Sequence, residues 1–270
     1  MAAAVAVGSV LRQWRERKRM SQLDLACEAN ISTRHLSFIE TGRSQPSRDM
    51  ILQIAETLEL PLRERNQLLL AGGFAPVFPE RALEDPSLAA GRRAIEAVLR
   101  GHEPNPALAV DRHWNMLTAN AALPPLLAGV SEMLLAPPVN VLRVALHPEG
   151  LGSRVLNFCE WQRHLIARLR HQLAATADPH LSDLIEELRQ YRPARSDQPS
   201  SAEDYGSLVV PLRLSTDAGV LNLLSTTTVF GTPLDVTLSE IAIESFFPAD
   251  AESGERLRNL CAGEPACAAR

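Results

Sequence analysis

The feature that most constrains the fold is a closely spaced set of helix-start and helix-stop signals near the N-terminus. Ser21 and Ser32 each precede an apolar pattern of helical spacing, and a serine side chain there accepts a hydrogen bond from the first free amides of a helix. Asn30 separates the two patterns, and asparagine tolerates the left-handed conformation that a tight turn demands. Gly42 then ends the second pattern. These signals predict two short helices joined by a tight turn, which is the helix-turn-helix arrangement.

Three further helices are predicted around this pair, so that residues 9–73 form an all-α five-helix domain. The first carries an apolar stripe that ends at Trp14, while its arginines occupy the other faces. The fourth and fifth helices, expected over residues 48–58 and 62–70, supply the rest of the core. Residues 1–8 are apolar but lack the basic start of a signal peptide, and they are predicted to be a disordered tail.

Charge divides unevenly along the chain. Residues 1–73 hold ten Lys or Arg against eight Asp or Glu, a net charge of +2, whereas the remainder holds 17 against 24, a net charge of −7, and the two give the −5 of the whole chain. Because exposed charges are screened beyond about 8 Å at physiological salt, a local basic patch is enough to attract phosphate groups. The patch in the first helix consists of Arg12, Arg15, Arg17, Lys18 and Arg19, which face only Glu16.

Several motifs in this segment occur in the order and at the spacing found in one family. They are residues 21–26, 31–32, 36–43 and 45–47. The segment resembles the XRE, or lambda-repressor-like, helix-turn-helix family over its whole length. The resemblance implies a domain that binds double-stranded DNA with its third helix in the major groove. Phe38 stands where some relatives use a polar base-reading side chain, so base reading is expected from the start of the third helix.

The resemblance also implies roles for individual residues. Arg34 is the best candidate for a specific base contact, because a guanidinium bonds guanine through a bidentate fork. Arg15 and Arg43 are expected to contact phosphates, which positions the protein without specifying sequence. Gln22 is expected to bond a phosphate or a base. The full set of expected DNA-binding residues is Arg15, Gln22, Ser32, Thr33, Arg34, His35, Ser37, Thr41 and Arg43.

A pair of glycines and the prolines after it mark the end of the first domain. Residues 74–101 are predicted to be a linker and a connecting helix. From residue 102, two short extended segments, then amphipathic helices, then further extended segments predict an α+β domain with an antiparallel sheet and helices on one face. Pro124-Pro125 would shorten or kink the helix that follows the second extended segment. Residues 251–270 are predicted to be a flexible tail.

The second domain carries a second resemblance. The residues that match are 106–115, 119–121, 230–237 and 243–248. Residues 102–250 resemble a PAS-like sensor, and more narrowly the ligand-binding domain of MmyB-like regulators. The resemblance implies a cavity for an apolar small molecule, with a fatty acid as a candidate. The expected ligand-binding residues are Trp114, Leu117, Asn120, Phe158, Trp161 and Leu165.

Catalytic and metal-binding signatures are lacking in the sequence. It has no GxSxG nucleophile motif, no Walker loop and no GxGxxG motif, so an enzyme is not expected. Glu160, His164 and His171 share one helix face, but Arg168 lies there too and its charge opposes a bound cation. We therefore predict no catalytic residue, no metal and no cofactor. No apolar run approaches the roughly 18–20 residues that cross a bilayer, and the protein is expected in the bacterial cytoplasm.

Three functions remain open from the sequence. The leading hypothesis is a ligand-responsive transcription factor that binds DNA as a homodimer. The first alternative keeps DNA binding but makes the second domain a dimerisation or partner-docking module without a ligand, which a core without a cavity would favour. The second alternative makes that domain an enzyme, and it requires a cleft with paired titratable groups.

Overall fold

Two separate hydrophobic cores divide the chain into two units. The computed structural model describes residues 6–192, 210–231 and 234–262. The N-terminal unit consists of Met1–Ala82, Ala174–Ala177 and Thr232–Ser239. The C-terminal unit consists of Leu83–Leu173, Asp178–Gly231 and Glu240–Arg270.

The predicted helix-turn-helix pair is confirmed. Ser21 Oγ accepts a hydrogen bond from the Asp24 amide, and Ser32 Oγ accepts one from the His35 amide, both at 3.1 Å. Asn30 has a φ of 50°, the left-handed conformation that the turn requires. The helices before the linker are α1 (Val7–Arg17), α2 (Gln22–Glu28), α3 (Thr33–Glu40), α4 (Arg48–Thr57) and α5 (Leu62–Ala71).

Helix α1 begins earlier than the sequence predicts, and the reason is a close helix contact. Val7 and Gly8, which were expected in a disordered tail, are buried in the first turn of α1. A Cβ atom on Gly8 would lie 2.0 Å from the carbonyl oxygen of Ile39 near the end of α3. Only glycine therefore allows α1 and α3 to approach this closely. Ala6 is the N-cap residue of α1, and residues 1–5 of the expected tail lie outside the described residues.

Gly8→Ala is expected to lower the free energy of unfolding of the N-terminal unit by about 1–3 kcal/mol, the usual cost of overpacking, because the backbone of α3 must move. Gly101→Ala is the matched control, since a Cβ at that helical glycine meets nothing within 4 Å. Urea unfolding of the two full-length variants measures both effects. Equal stability of the two variants would contradict the close contact.

The C-terminal unit contains helices and strands in the mixed order that the sequence predicts. Its helices are α6 (Ala89–Gly101), α7 (Glu132–Leu135), α8 (Val141–Leu146), α9 (Phe158–Thr176, whose last residues belong to the N-terminal unit), α10 (Pro179–Gln190) and α12 (Ala251–Ala262). Its strands are β1 (Ala107–Val110), β2 (Met116–Ala119), β3 (Leu212–Thr216), β4 (Gly219–Val229) and β5 (Ala242–Pro248). The short helix α11 (Val236–Ser239), between β4 and β5, belongs to the N-terminal unit.

The five strands form one sheet in the order β2-β1-β5-β4-β3, with each neighbouring pair antiparallel. The predicted α+β, PAS-like fold class is confirmed. In the pairing of β4 with β5, Thr227 lies opposite Glu244 and Ser225 lies opposite Phe246. Because side chains alternate along a strand, these four residues share one face of the sheet.

Several predicted element boundaries are corrected. The helix expected after β2 is only a 3-10 turn, Pro124–Leu127, because two adjacent prolines remove backbone donors. The strand expected from residue 208 begins at Leu212, and residues 208 and 209 lie outside the described residues. The expected flexible tail contains α12, whose Leu257 is 1% exposed.

The linker after α5 is anchored within the N-terminal unit. The Asn66 side chain donates to the Phe78 carbonyl at 2.7 Å and accepts from the amides of Val77 and Phe78. At α11, the Val236 amide donates to the carbonyl of Pro79 at 2.8 Å. None of the described helices is long and apolar enough to span a membrane.

Candidate functional site

The outer face of α3 and the turn that follows it present two arginines around one aromatic ring. The guanidinium carbon of Arg34 lies 5.4 Å from the centroid of the Phe38 ring, and that of Arg43 lies 5.9 Å from it. Both arginines are exposed. Attraction between a cation and an aromatic face restricts both side chains, so Phe38 holds two positive charges on the same surface.

The other residues predicted to bind DNA in and beside α3 differ in whether their polar atoms already form hydrogen bonds within the protein. Thr33, His35 and Ser37 are partly exposed on the helix. Thr41 donates its hydroxyl hydrogen to the Ser37 carbonyl at 2.7 Å, which leaves only its oxygen lone pairs for a partner. Ser32 accepts at the helix start and keeps its own hydrogen to donate.

A buried ion pair links the first three helices. Arg15 Nε and Nη2 donate to Glu40 Oε1 and Oε2 at 2.7 and 3.0 Å, and Arg15 Nη1 donates to the Met20 carbonyl at 2.8 Å. The side chains of Arg15 and Glu40 are 9% and 1% exposed. The hydrogen bonds to Glu40 raise the pKa of Arg15 above its ordinary value.

The pair changes the expected roles of two residues. Arg15 was expected to contact phosphate, but its guanidinium is buried and already bonded, so we reassign it to holding α1 against α3. Gln22 Nε2 donates to Glu40 Oε2 at 2.8 Å, which fixes the amide and leaves one N–H and the carbonyl oxygen for another partner.

The core of the C-terminal unit encloses a cavity of about 90 Å³. Three of the expected ligand-binding residues, Trp114, Trp161 and Leu165, line it. The buried indole Nε1 of Trp161 has no hydrogen-bond partner among the described residues. The other walls are apolar and include Leu108, Met116, Leu123, Val139, Leu142, Ala145, Leu212, Leu214, Leu223 and Phe246.

Three predicted ligand residues do not line the cavity. Leu117 is 38% exposed, because Met116 takes the inward position on β2 and the next residue faces the other side. Asn120 is buried, where it accepts from the Ala107 amide and donates to the carbonyls of Leu99 and Asn105. Phe158 is 1% exposed in the core at the start of α9 but is not part of the wall.

One end of the cavity is polar. Arg168 on α9 donates to Glu244 Oε2 at 3.0 Å and to Glu244 Oε1 at 2.6 Å. Its guanidinium carbon lies 4.8 Å from the centroid of the Trp114 ring. Trp114 Nε1 in turn donates to Gln172 Oε1 at 2.8 Å. Arg168, Glu244 and Ser225 all line the cavity, so its apolar wall ends at an ion pair.

His164 lies beside this polar end. Its ring stacks on Trp161 with 5.3 Å between the centroids. Burial, together with the positive charge of Arg168, lowers the pKa of His164 below its ordinary value. His164 therefore favours its neutral form and adds no positive charge near the cavity at neutral pH.

A second polar cluster, His113, Asp178 and His180, has the composition of a metal site within the described residues. His113 Nε2 lies 2.8 Å and His180 Nδ1 3.0 Å from the Asp178 carboxylate. Burial opposes ionisation of Asp178, but hydrogen bonds from both histidines outweigh it and hold the pKa of Asp178 below its ordinary value. Because Arg112 lies 3.6 Å from the same carboxylate, we interpret the cluster as structural.

Comparison with known families identifies both units. The sequence model of the MmyB-like transcription regulator ligand binding domain matches residues 92–260. The chain belongs to the MmyB-like transcription regulators. A helix-turn-helix family matches residues 11–65 of this MmyB-like regulator, which contain the α2–α3 pair. A search among curated proteins finds no significant match.

The family assignment places each site in one of the two domains. The exposed face of α3 belongs to the DNA-binding domain of this MmyB-like regulator, and the cavity belongs to its ligand-binding domain. Both matched families are regulatory binding domains rather than enzymes.

Sequence reasoning missed the polar end of the regulator's cavity. Arg168 follows Trp161 and Leu165 by seven and three residues, so helical spacing places it on their face, and this signal was available. Its partner Glu244 could not be predicted in this way, because it lies 76 residues further along the chain. Only the pairing of β4 with β5 brings Glu244, Thr227 and Ser225 to the same end.

Proposed function

We propose that this MmyB-like regulator controls transcription in the bacterial cytoplasm as a homodimer that binds DNA and responds to an apolar small molecule. A fatty acid or an uncharged derivative with a similar chain is the ligand class we propose. The cavity carries this proposal, because a module that served only for dimerisation or docking would gain stability from a filled core.

For DNA binding, we propose that α3 enters the major groove and that Arg34 reads a base. Thr33, His35 and Ser37 would contact base edges or nearby phosphates, and Arg43 would contact a phosphate. A homodimer would place two α3 helices on half-sites about 10 bp apart. The exposure of Arg34 and Arg43 beside Phe38 supports these roles.

A stretch of chain offers a route by which the cavity could influence the DNA-binding unit. Ser225 on β4 and Glu244 on β5 line the cavity, and α11 lies between them in the sequence. Within the N-terminal unit, the segment around α11 is bonded to the linker: Thr237 donates to the Arg81 carbonyl at 2.6 Å, and Asp235 pairs with the Arg81 guanidinium at 3.3 Å. A ligand that favours one arrangement of β4 and β5 would thereby bias this contact.

Native mass spectrometry of the purified full-length protein tests the proposal, followed by denaturing extraction of whatever is bound. We expect the added mass of a small aliphatic compound. Ala145→Phe should abolish it, because Ala145 lines the cavity and a phenyl ring would fill it. Leu117→Phe, outside the cavity, should retain it. An empty wild-type protein that also takes up no added aliphatic compound would favour the dimerisation module.

A further inference from the structure

We propose that the ligand of this cavity carries an uncharged head group with a hydrogen to donate, such as an alcohol or an amide, and not a carboxylate. The inference rests on the proposed function, since it assumes that the cavity binds a ligand. It is carried by the polar end of the cavity, which is lined by Arg168, Glu244 and Ser225, and by Thr227, which is bonded to the ion pair but does not line the cavity.

The positive charge at this end is already neutralised by the protein. Two nitrogens of Arg168 donate to the two oxygens of Glu244. Thr227 joins both partners, since its hydroxyl donates to Glu244 Oε1 at 2.7 Å and accepts from Arg168 Nη2 at 2.6 Å. An arginine paired in this bidentate way offers no free fork to a second carboxylate.

The unused polar groups that face the cavity favour a head group that can both donate and accept, because Glu244 has a lone pair to spare and the buried Trp161 Nε1 has no partner among the described residues. A carboxylate has about four lone-pair sites, and Glu244 uses three of them for Arg168 and Thr227. Ser225, on the same face of β4, has a hydroxyl for which the described residues show no hydrogen bond, and it lines the cavity. An alcohol or amide can donate to Glu244 and exchange a hydrogen bond with Ser225, whereas a carboxylate has no hydrogen to donate.

A carboxylate head would also need a costly rearrangement. The Glu244 side chain is 5% exposed and that of Arg168 is 23% exposed, so neither is freely hydrated. A ligand carboxylate could bind Arg168 through a fork only by separating it from Glu244, which would leave the buried negative charge of Glu244 without its cation. His164 gives no compensating positive charge at neutral pH, because its pKa is lowered.

The size of the cavity selects the probe molecules. At roughly 10–15 Å³ for each water-sized group, a cavity of about 90 Å³ holds about six to nine non-hydrogen atoms before the walls move. 1-Octanol has nine non-hydrogen atoms, at the upper end of this range, and octanoate has ten with the same eight-carbon chain, so the two compounds differ only in the head group. Octanoate is ionised at pH 7.5.

Isothermal titration calorimetry of the full-length protein at pH 7.5 tests the inference. We expect 1-octanol to bind at least about tenfold more tightly than octanoate, which corresponds to about 1.4 kcal/mol. Glu244→Gln keeps a hydrogen-bond acceptor but leaves the charge of Arg168 without its anion. The affinity for octanoate should therefore rise at least about tenfold, while the affinity for 1-octanol should change little. Thr227→Val is the matched control, because it removes hydrogen bonds but keeps both charges, and it should preserve the preference for the alcohol.

The outcomes separate this inference from the proposed function. Octanoate binding to the wild-type protein as tightly as 1-octanol would overturn the head-group inference while leaving the ligand-binding function intact. An equal change for both compounds in Glu244→Gln would overturn it as well. Failure of both compounds to bind the wild-type protein would overturn the ligand-binding function and the inference with it. The wild-type comparison stands even if Glu244→Gln does not fold.

Discussion

Glu40→Ala is expected to lower the free energy of unfolding of the N-terminal unit by about 3–5 kcal/mol, because it leaves the buried Arg15 charge without its partner. The same substitution removes the acceptor that fixes Gln22. Since whole domains are stable by only about 5–15 kcal/mol, the loss would bring this unit close to unfolding. Urea unfolding followed by hydrogen exchange of peptides from α1, α2 and α3 measures the change separately from the C-terminal unit.

Glu16→Ala is the matched control for Glu40→Ala. Glu16 lies 3.8 Å from Arg15, but its side chain is 52% exposed, and pairs in solvent contribute little. We expect the free energy of unfolding of this variant to be close to that of the wild type. If Glu40→Ala and Glu16→Ala were equally stable, the linking role of the Arg15–Glu40 pair would be wrong.

Arg34→Ala is expected to weaken binding to a selected DNA site by about 1–3 kcal/mol, or about 5- to 150-fold, and to relax the sequence preference at one position. Arg43→Ala should instead weaken binding to all DNA sequences about equally, because a phosphate contact carries no sequence information. It should also reduce the slope of log affinity against log salt concentration by about 1. Fluorescence anisotropy at several salt concentrations, with the selected site and a scrambled duplex, distinguishes the two effects.

Both arginines lie against Phe38, so each serves as the control for the other. If loss of packing on the ring caused the change, both variants would lose specificity to the same degree. That result would contradict the division into a base-reading arginine and a phosphate-contacting arginine.

Local chemistry is the part of this fold that the sequence predicts well. The serine caps at Ser21 and Ser32 and the left-handed turn at Asn30 each depend on residues within a few positions, and all three are present. The strand and helix order of the C-terminal unit also follows from local periodicity. The observed boundaries differ from the predicted ones where tertiary packing determines the end of a helix or strand, as at α12.

Contacts between distant residues explain what the sequence could not predict. In the sequence, Gly8 looks like part of a flexible tail. In the structure, a Cβ atom on Gly8 would lie 2.0 Å from the carbonyl oxygen of Ile39 in α3. Arg15 looks like a surface cation because its partner Glu40 lies 25 residues away. Leu117 and Met116 are both apolar, and only the register of β2 decides which of them faces the cavity.

In the proposed function, occupancy of the cavity changes DNA binding. The most direct test is fluorescence anisotropy of the full-length protein on a duplex selected from random sequences, with and without 1-octanol at a concentration that saturates the cavity. Coupling energies of about 1–3 kcal/mol predict a change of about 5- to 150-fold in the Kd for DNA, absent in Ala145→Phe. An unchanged Kd at a concentration where calorimetry shows the cavity filled would contradict the claim.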